Sequence, residues 1–545
     1  MPRYRLIDSR VAALVCSIFL FACSCAVAEE LLPADRPIHE VVDHYIDARL
    51  AAEGVNAAPQ ASETTLLRRL TFDLVGRPAP GDEARAFAAS AEPDKVEKLV
   101  DGLLQSPGYA RYQAYAFDAF LTRGQGSVQP YLLEAFRENR PWDVIFREMI
   151  AGDQKDEEQR KALEFMRSRA GDTDRLANEA SSLFFGVNVS CAQCHDHPLV
   201  PDWRQSHYYG MKSFFNRTFE NGGFLGERDY GIVEYQNPDG KSFTAKLMFL
   251  TGEKIDEPES REPSDGDKKK EKEQLEKLKK DKKPPPAPKF SRREKLLEVA
   301  LEDGRAGGYL PRAIVNRVWY QLFGYGLVMP LDQMHEENDA SHPELLAWLA
   351  RDLVAHNYDL KRLVRGLVLS RAYARGSRWE SGELPPAKLF AVAQLKPLTP
   401  QQMGAAIRMA AAEPSYFSLD LDPAEREKRL ESIDSAGRSL VGRFEMPSGE
   451  DFQIGVDEAL LLSNNKDLYN DLVGDRSRLL SACQKEEDNL AMIDLLFWNA
   501  LGRPASPEEE QLILEHLASR PENREQACRQ VLWAVLTGSE FRFNH

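Results

Sequence analysis

Apolar residues recur at helical spacing along most of this chain. Val41, Val42, Tyr45, Ile46 and Leu50 fall on one face of a first predicted helix. The period continues from Leu66 to Leu74 and stops at Gly76-Arg77-Pro78-Ala79-Pro80, a turn that feeds an acidic helix start at Asp82-Glu83. Val96 to Leu104 is amphipathic again and closes at Ser106-Pro107-Gly108-Tyr109. Aromatic residues crowd the stretch from Tyr112 to Phe120, a pattern that reads as core packing. Further helices are predicted over Tyr131 to Glu138, Trp142 to Ile150 and Asn178 to Phe185.

Past Gly222-Gly223 the period changes. Gly231 to Tyr235 and Lys241 to Phe249 flank Asn237-Pro238-Asp239-Gly240, which predicts a β-hairpin. From Glu257 to Pro288 the chain is charged and low in complexity, with Lys268-Lys269-Lys270 and Pro284-Pro285-Pro286. It has little to bury and is expected to be a solvated linker with at most a transient helix, rather than a dock for an acidic electron carrier. Helical periodicity then resumes over Ala313 to Leu322 and Leu360 to Leu369, with Ser341 and Glu344 spaced as a capping box before Leu345, Leu346, Trp348 and Leu349. The turn at residues 74–80 is echoed by Ala500-Leu501-Gly502-Arg503-Pro504-Ala505-Ser506-Pro507, which suggests a reused helix–turn–helix unit. The pattern predicts a mainly α protein: two helical domains, a small β-hairpin insertion and a disordered charged linker between the domains. The expected divisions are 1–28, 37–256, 257–288 and 289–545.

The first division reads as an export signal. Arg3, Arg5 and Arg10 precede an apolar run from Val11 to Phe21, and Ala26-Val27-Ala28 forms a small-x-small cleavage site before Glu29. A lipid anchor at Cys23 is disfavoured by bulky Phe21. Cleavage after Ala28 removes Cys16, Cys23 and Cys25, leaving Cys191, Cys194, Cys483 and Cys528 in an oxidising compartment. Cys483 and Cys528 are then free to pair or not. No later segment is long and apolar enough to cross a bilayer. The net charge of −16 includes +2 from residues 1–28, which hold three Arg and one Asp, so the remainder carries −18. Such a chain repels nucleic acid, and no nucleic-acid partner is expected.

Chemistry is legible at one place, Cys191-Ala192-Gln193-Cys194-His195. Two thiols separated by two residues and followed by histidine form the arrangement that attaches haem covalently in c-type cytochromes. Each thiol adds across one vinyl group, and His195 becomes the proximal ligand of the iron. One haem c per chain is expected, with Cys191, Cys194 and His195 as its binding residues. The same cysteines suit a disulfide or redox pair, or a zinc site with His197 and His207, although tetrahedral closure of such a site leaves His195 unexplained.

The motifs together resemble a known pair of domains. Arg68-Arg69-Leu70, Asp73-Leu74 and Gly76-Arg77-Pro78, then Cys191 to Pro198, then Tyr208-Tyr209 and Phe214-Phe215 resemble the planctomycete cytochrome-like secreted domain, domain-of-unknown-function family 1549. Arg292-Arg293, Asn316-Arg317-Val318-Trp319, Gly324 to Val328, Ser341 to Leu346 and the terminal Glu540 to His545 resemble its usual companion, family 1553. The resemblance implies a secreted or periplasmic protein and names no reaction. The chain departs from relatives at Ile454 to Leu460, where they often carry an Arg/Ser-rich stretch, and it lacks the separate cytochrome domain that some of them have. Electrons would then come from another protein.

The second axial ligand is open. The candidate distal or pocket residues are His197, two positions from His195 and better placed to hydrogen-bond a propionate than to reach across the iron; His207 and Met211, which follow on a predicted helix; and His342 and His545, from the other half. Three function classes remain: a periplasmic electron-transfer protein or haem subunit of an oxidoreductase, a zinc-binding protein, and a disulfide-stabilised envelope protein that binds partners. The first is favoured, with a redox partner protein or small-molecule substrate. No Ser-His-Asp elbow, phosphate-binding glycine loop or HExxH motif supports hydrolase or nucleotide chemistry.

Overall fold

Helix ends in the computed structural model follow from residues that satisfy free backbone groups. It describes residues 31–545 apart from 198–199, 202, 306, 381, 442–465 and 475, so the leader and the 454–460 stretch lie outside the described residues. Ser62 accepts from the Thr65 amide and starts the helix Glu63–Val75, which Gly76 ends at φ 71°. A Cβ on Gly76 would stand 2.2 Å from the Tyr112 ring, so glycine is needed there for both conformation and space. Ser106 caps Pro107–Thr122 in the same way, with proline in its first turn. Lys95–Gln105, Gln129–Arg137, Trp142–Ala151 and Leu360–Val368 lie close to their expected positions, while Tyr309–Phe323 starts four residues before the expected Ala313.

Two further ends differ from expectation. The helix before the cysteine motif is Thr173–Phe185, starting five residues early because Asp172 accepts from the Arg175 amide. The capping box expected at Ser341 and Glu344 does not form. Pro343 occupies the first turn, which suits its fixed φ, and this makes His342 the cap residue of Pro343–Ala355.

Strands are few and antiparallel. The expected hairpin pairs Glu234–Gln236 with Ser242–Thr244, and a second pairs Thr218–Asn221 with Phe224–Glu227 across Gly222-Gly223. The charged stretch is solvated, as its composition requires, and it is helical over Asp265–Lys280 with no buried residue. Three lysines in its last turn oppose the helix dipole. Its contacts with the Thr218–Glu227 hairpin are polar: Asn221 Nδ2 donates to the Leu275 carbonyl at 3.1 Å, and Arg228 pairs with Glu271.

The charged segment separates the halves in sequence, yet their apolar residues share one cluster. Trp142, Phe146, Phe184 and Phe249 belong to it together with Leu296, Trp319, Leu346 and Phe390. Trp319 stacks on Phe323 at 4.0 Å between centroids. Burying each such side chain contributes ~1.5–3 kcal/mol. A second cluster gathers Ile407, Leu479, Met492, Phe497 and Leu532, and reaches back to Phe72. The echoed units meet: Trp498 packs with Leu67, Ala79 and Ala84, and Arg85 pairs with Asp494.

Candidate functional site

The cysteine motif sits on a short loop held from both halves of the chain. Helix Thr173–Phe185 ends at Gly186 in the left-handed region. The next residues form an antiparallel bridge, Val187 opposite Gln333. The Asn188 amide donates to the Asp332 carbonyl at 2.7 Å, and the Met334 amide to the Gly186 carbonyl at 2.9 Å. Asn188 Oδ1 then accepts from the Ser190 amide and hydroxyl, which turns the chain into the 3₁₀ helix Ser190–Gln193.

Backbone groups of the loop are satisfied from behind, so its reactive side chains face outward. Gln205 Nε2 donates to the Gln193 and Cys194 carbonyls at 3.3 and 3.1 Å, and Tyr209 Oη donates to the Gln193 carbonyl at 3.0 Å. Asp196 Oδ1 accepts from the Gln205 amide at 2.9 Å. Ala192 is fully buried and pins the turn, while Cys191, Cys194, His195 and Asp196 are exposed. Tyr209 stacks on Tyr235 at 4.2 Å and 8°, and Tyr235 on Phe243 at 5.5 Å, an aromatic ladder beside the motif. Burial, then the Asp174 carboxylate and after it the Cys194 thiol, push the Tyr209 phenol above its ordinary value. Beneath the loop, bonds from Lys212 and Tyr208 outweigh burial and hold the Asp174 carboxyl low.

The residues fit covalent haem attachment in two respects. Both thiols are free and exposed. His195 Nδ1 lies 2.7 Å from the Asp196 carbonyl, which can only accept, so Nδ1 carries the hydrogen and Nε2 keeps its lone pair outward.

The other candidates serve local structure. His197 Nδ1 accepts from the Val200 amide, and His207 Nδ1 from the Arg204 amide at the start of Gln205–Phe215. Among the described residues no group of three or more His, Cys, Asp or Glu converges as metal ligands would. Met211 is fully buried in the core. His342 is buried against Phe390, with Nδ1 on the Ser341 hydroxyl at 3.1 Å, and burial, then Arg49, pulls its pKa down to about 4. His545 lies beside Arg69, which donates from Nε to its carbonyl at 3.2 Å. Burial, then Arg68, lowers the His545 pKa. The neighbours of both histidines thus differ from those of the motif. Cys483 and Cys528 are buried thiols on packed helices, and burial, then Cys528, raises Cys483 to about 12.

A second polar centre escaped sequence reading. Buried Asp73 accepts from Lys396 Nζ at 2.7 Å on each oxygen, from Tyr373 Oη at 2.8 Å and from Asn544 Nδ2 at 2.7 Å. Arg68 donates to carbonyls at 540, 541 and 543, and Arg293 to the Ile150 carbonyl. The resemblance includes Asp73, Arg68 and Arg293, but Lys396 carries no local pattern that marks it.

Fold and site together define a helical protein whose two halves share a core and jointly hold an exposed CxxCH loop. Residues 41–220 match the family model PSCyt2, described as a protein of unknown function (DUF1549), and residues 293–442 match PSD1, a protein of unknown function (DUF1553). The chain therefore carries a DUF1549 domain followed by a DUF1553 domain. No curated protein and no solved structure matches it. No helix among the described residues is long and apolar enough to cross a membrane.

Proposed function

We propose that this is an exported c-type haem protein that passes electrons to or from a partner, as an electron carrier or as the haem subunit of an oxidoreductase. The observation that carries the reading is the orientation of His195: its Nδ1 hydrogen is spent on the Asp196 carbonyl, beside two exposed free thiols at the required spacing. Haem supplies one-electron chemistry when attached.

The chain's own residues supply the rest. Cys191 and Cys194 tether, and His195 presents Nε2. Gln205 and Tyr209 hold the loop so that these three groups keep their spacing. Asp332 and Met334 anchor its entry from the second domain. Exposure of the motif favours exchange with a protein partner at the surface over chemistry in a closed pocket. Export is supported by Arg3, Arg5 and Arg10, the apolar run to Phe21, and the Ala26-Val27-Ala28 site. In a host with cytochrome c maturation machinery, the wild-type band on a denaturing gel should take a haem stain, and C191S/C194S should not. An unstained wild-type band rejects the proposal.

A further inference from the structure

A large cavity lies between the two halves, in a part of the molecule that the electron-transfer reading does not use. It measures about 610 Å³, within the ~300–1,000 Å³ of ordinary small-molecule sites. Helix Pro107–Thr122 gives it Tyr112, Tyr115 and Phe120; helix Tyr309–Phe323 gives Arg317 and Tyr320; and Tyr325 follows the latter. Such walls suit the flat face of a ring, because aromatic side chains stack and carry hydroxyls at their rims.

Charge decides what else the ligand must carry. Only Asp73, Arg317 and Lys396 among the lining residues are charged, and Asp73 and Lys396 neutralise each other at 2.7 Å. That leaves one positive charge, on Arg317. Its guanidinium lies 3.9 Å from the centroid of Phe120 and has no hydrogen-bond or ion-pair partner among the described residues. Asn316 next to it is bonded both ways to the Val328 backbone, at 2.9 and 3.0 Å, which fixes the helix face that presents Arg317. Arg317 is half-buried on the cavity wall, where its unpaired guanidinium is available to an anionic partner. Its planar fork matches a carboxylate bidentately. One uncompensated charge matches a monoanion better than a phosphate dianion.

We propose that this cavity binds a small ring-bearing carboxylic acid, its carboxylate on Arg317 and its ring between the tyrosines of the two halves. An aromatic acid and a sugar acid share that chemistry, so both are tested. Binding of benzoate, galacturonate, benzamide and galactose to the full-length protein is measured by calorimetry. At least one of the two acids should bind, and its neutral counterpart should bind roughly tenfold more weakly or worse. Benzoate alone binding marks an aromatic acid, and galacturonate alone a sugar acid. Arg317→Gln should abolish the preference for acid over neutral analogue, and Arg317→Lys should keep it in weakened form. The proposal is overturned if neither acid binds, if acid and neutral analogue bind alike, or if R317Q retains the preference. The acid-against-neutral comparison is made on the wild-type protein, so it decides the matter even where R317Q fails to fold.

Discussion

Replacing Asp73 with alanine should be among the most destabilising single changes in the chain. Asp73 is buried and accepts four hydrogen bonds from Lys396, Tyr373 and Asn544. Burial raises its pKa, and the Lys396 ammonium is the main counterweight. Asp73→Ala leaves a withdrawn ammonium whose remaining partners are the carbonyls of Gln321 and Leu322, at 3.1 and 2.8 Å. It also strands the Tyr373 hydroxyl and the Asn544 amide. Breaking a buried pair from one side costs roughly 3–5 kcal/mol. Lys396→Met should cost a similar amount, because it strands the carboxylate instead. The double variant removes both charges, so its loss should resemble one single variant, giving a coupling energy of about 3 kcal/mol. Urea unfolding of the four proteins measures this directly. A loss below about 1 kcal/mol for Asp73→Ala, or a double variant equal to the sum, would refute the reasoning.

Three other outcomes follow from the same structure. The unfolded His342 takes up a proton near pH 6.5 and the folded one resists to about pH 4, so protonation between those values favours unfolding. Wild-type stability should therefore fall by up to about 3 kcal/mol from pH 6.5 to 4, with a shallower decline in His342→Gln; parallel profiles contradict this. Gly76→Ala should cost about 1–3 kcal/mol more than Gly502→Ala in thermal unfolding. Both glycines have positive φ, but only at Gly76 does a Cβ meet the Tyr112 ring; equal losses would show that this contact relaxes freely. Trypsin should cut first within exposed Asp265–Lys280, and the two fragments should co-elute without denaturant because they share one core; their separation would contradict that packing.

Contiguous signals were legible in the sequence. The period of Leu66 to Leu74 and the glycine after it located a helix and its end, and Asn237 to Gly240 located a hairpin, because each is decided within a few residues. Thr173 and His342 show the limit: an Asp cap buried in polar sequence and a proline in a first turn moved those ends. The CxxCH loop was visible for the same reason as the hairpin. Its supports were not, since Tyr235 and Asp332 arrive from distant segments. Neither was the Asp73–Lys396 pair, whose members are 323 residues apart. The histidines considered as second ligands could be enumerated but not placed: position in a folded core depends on packing that residue type does not encode. The expected linker was correct in solvation, while its many Lys and Glu residues build a helix that polar contacts hold to a hairpin.

The central claim is tested most directly by the mass and spectrum of the purified protein made with cytochrome c maturation machinery. The account predicts an intact denatured mass increased by one haem, a c-type pyridine haemochrome spectrum, and loss of both in C191S/C194S. A colourless protein with an unmodified mass, with stoichiometric zinc or with a Cys191–Cys194 disulfide would contradict it.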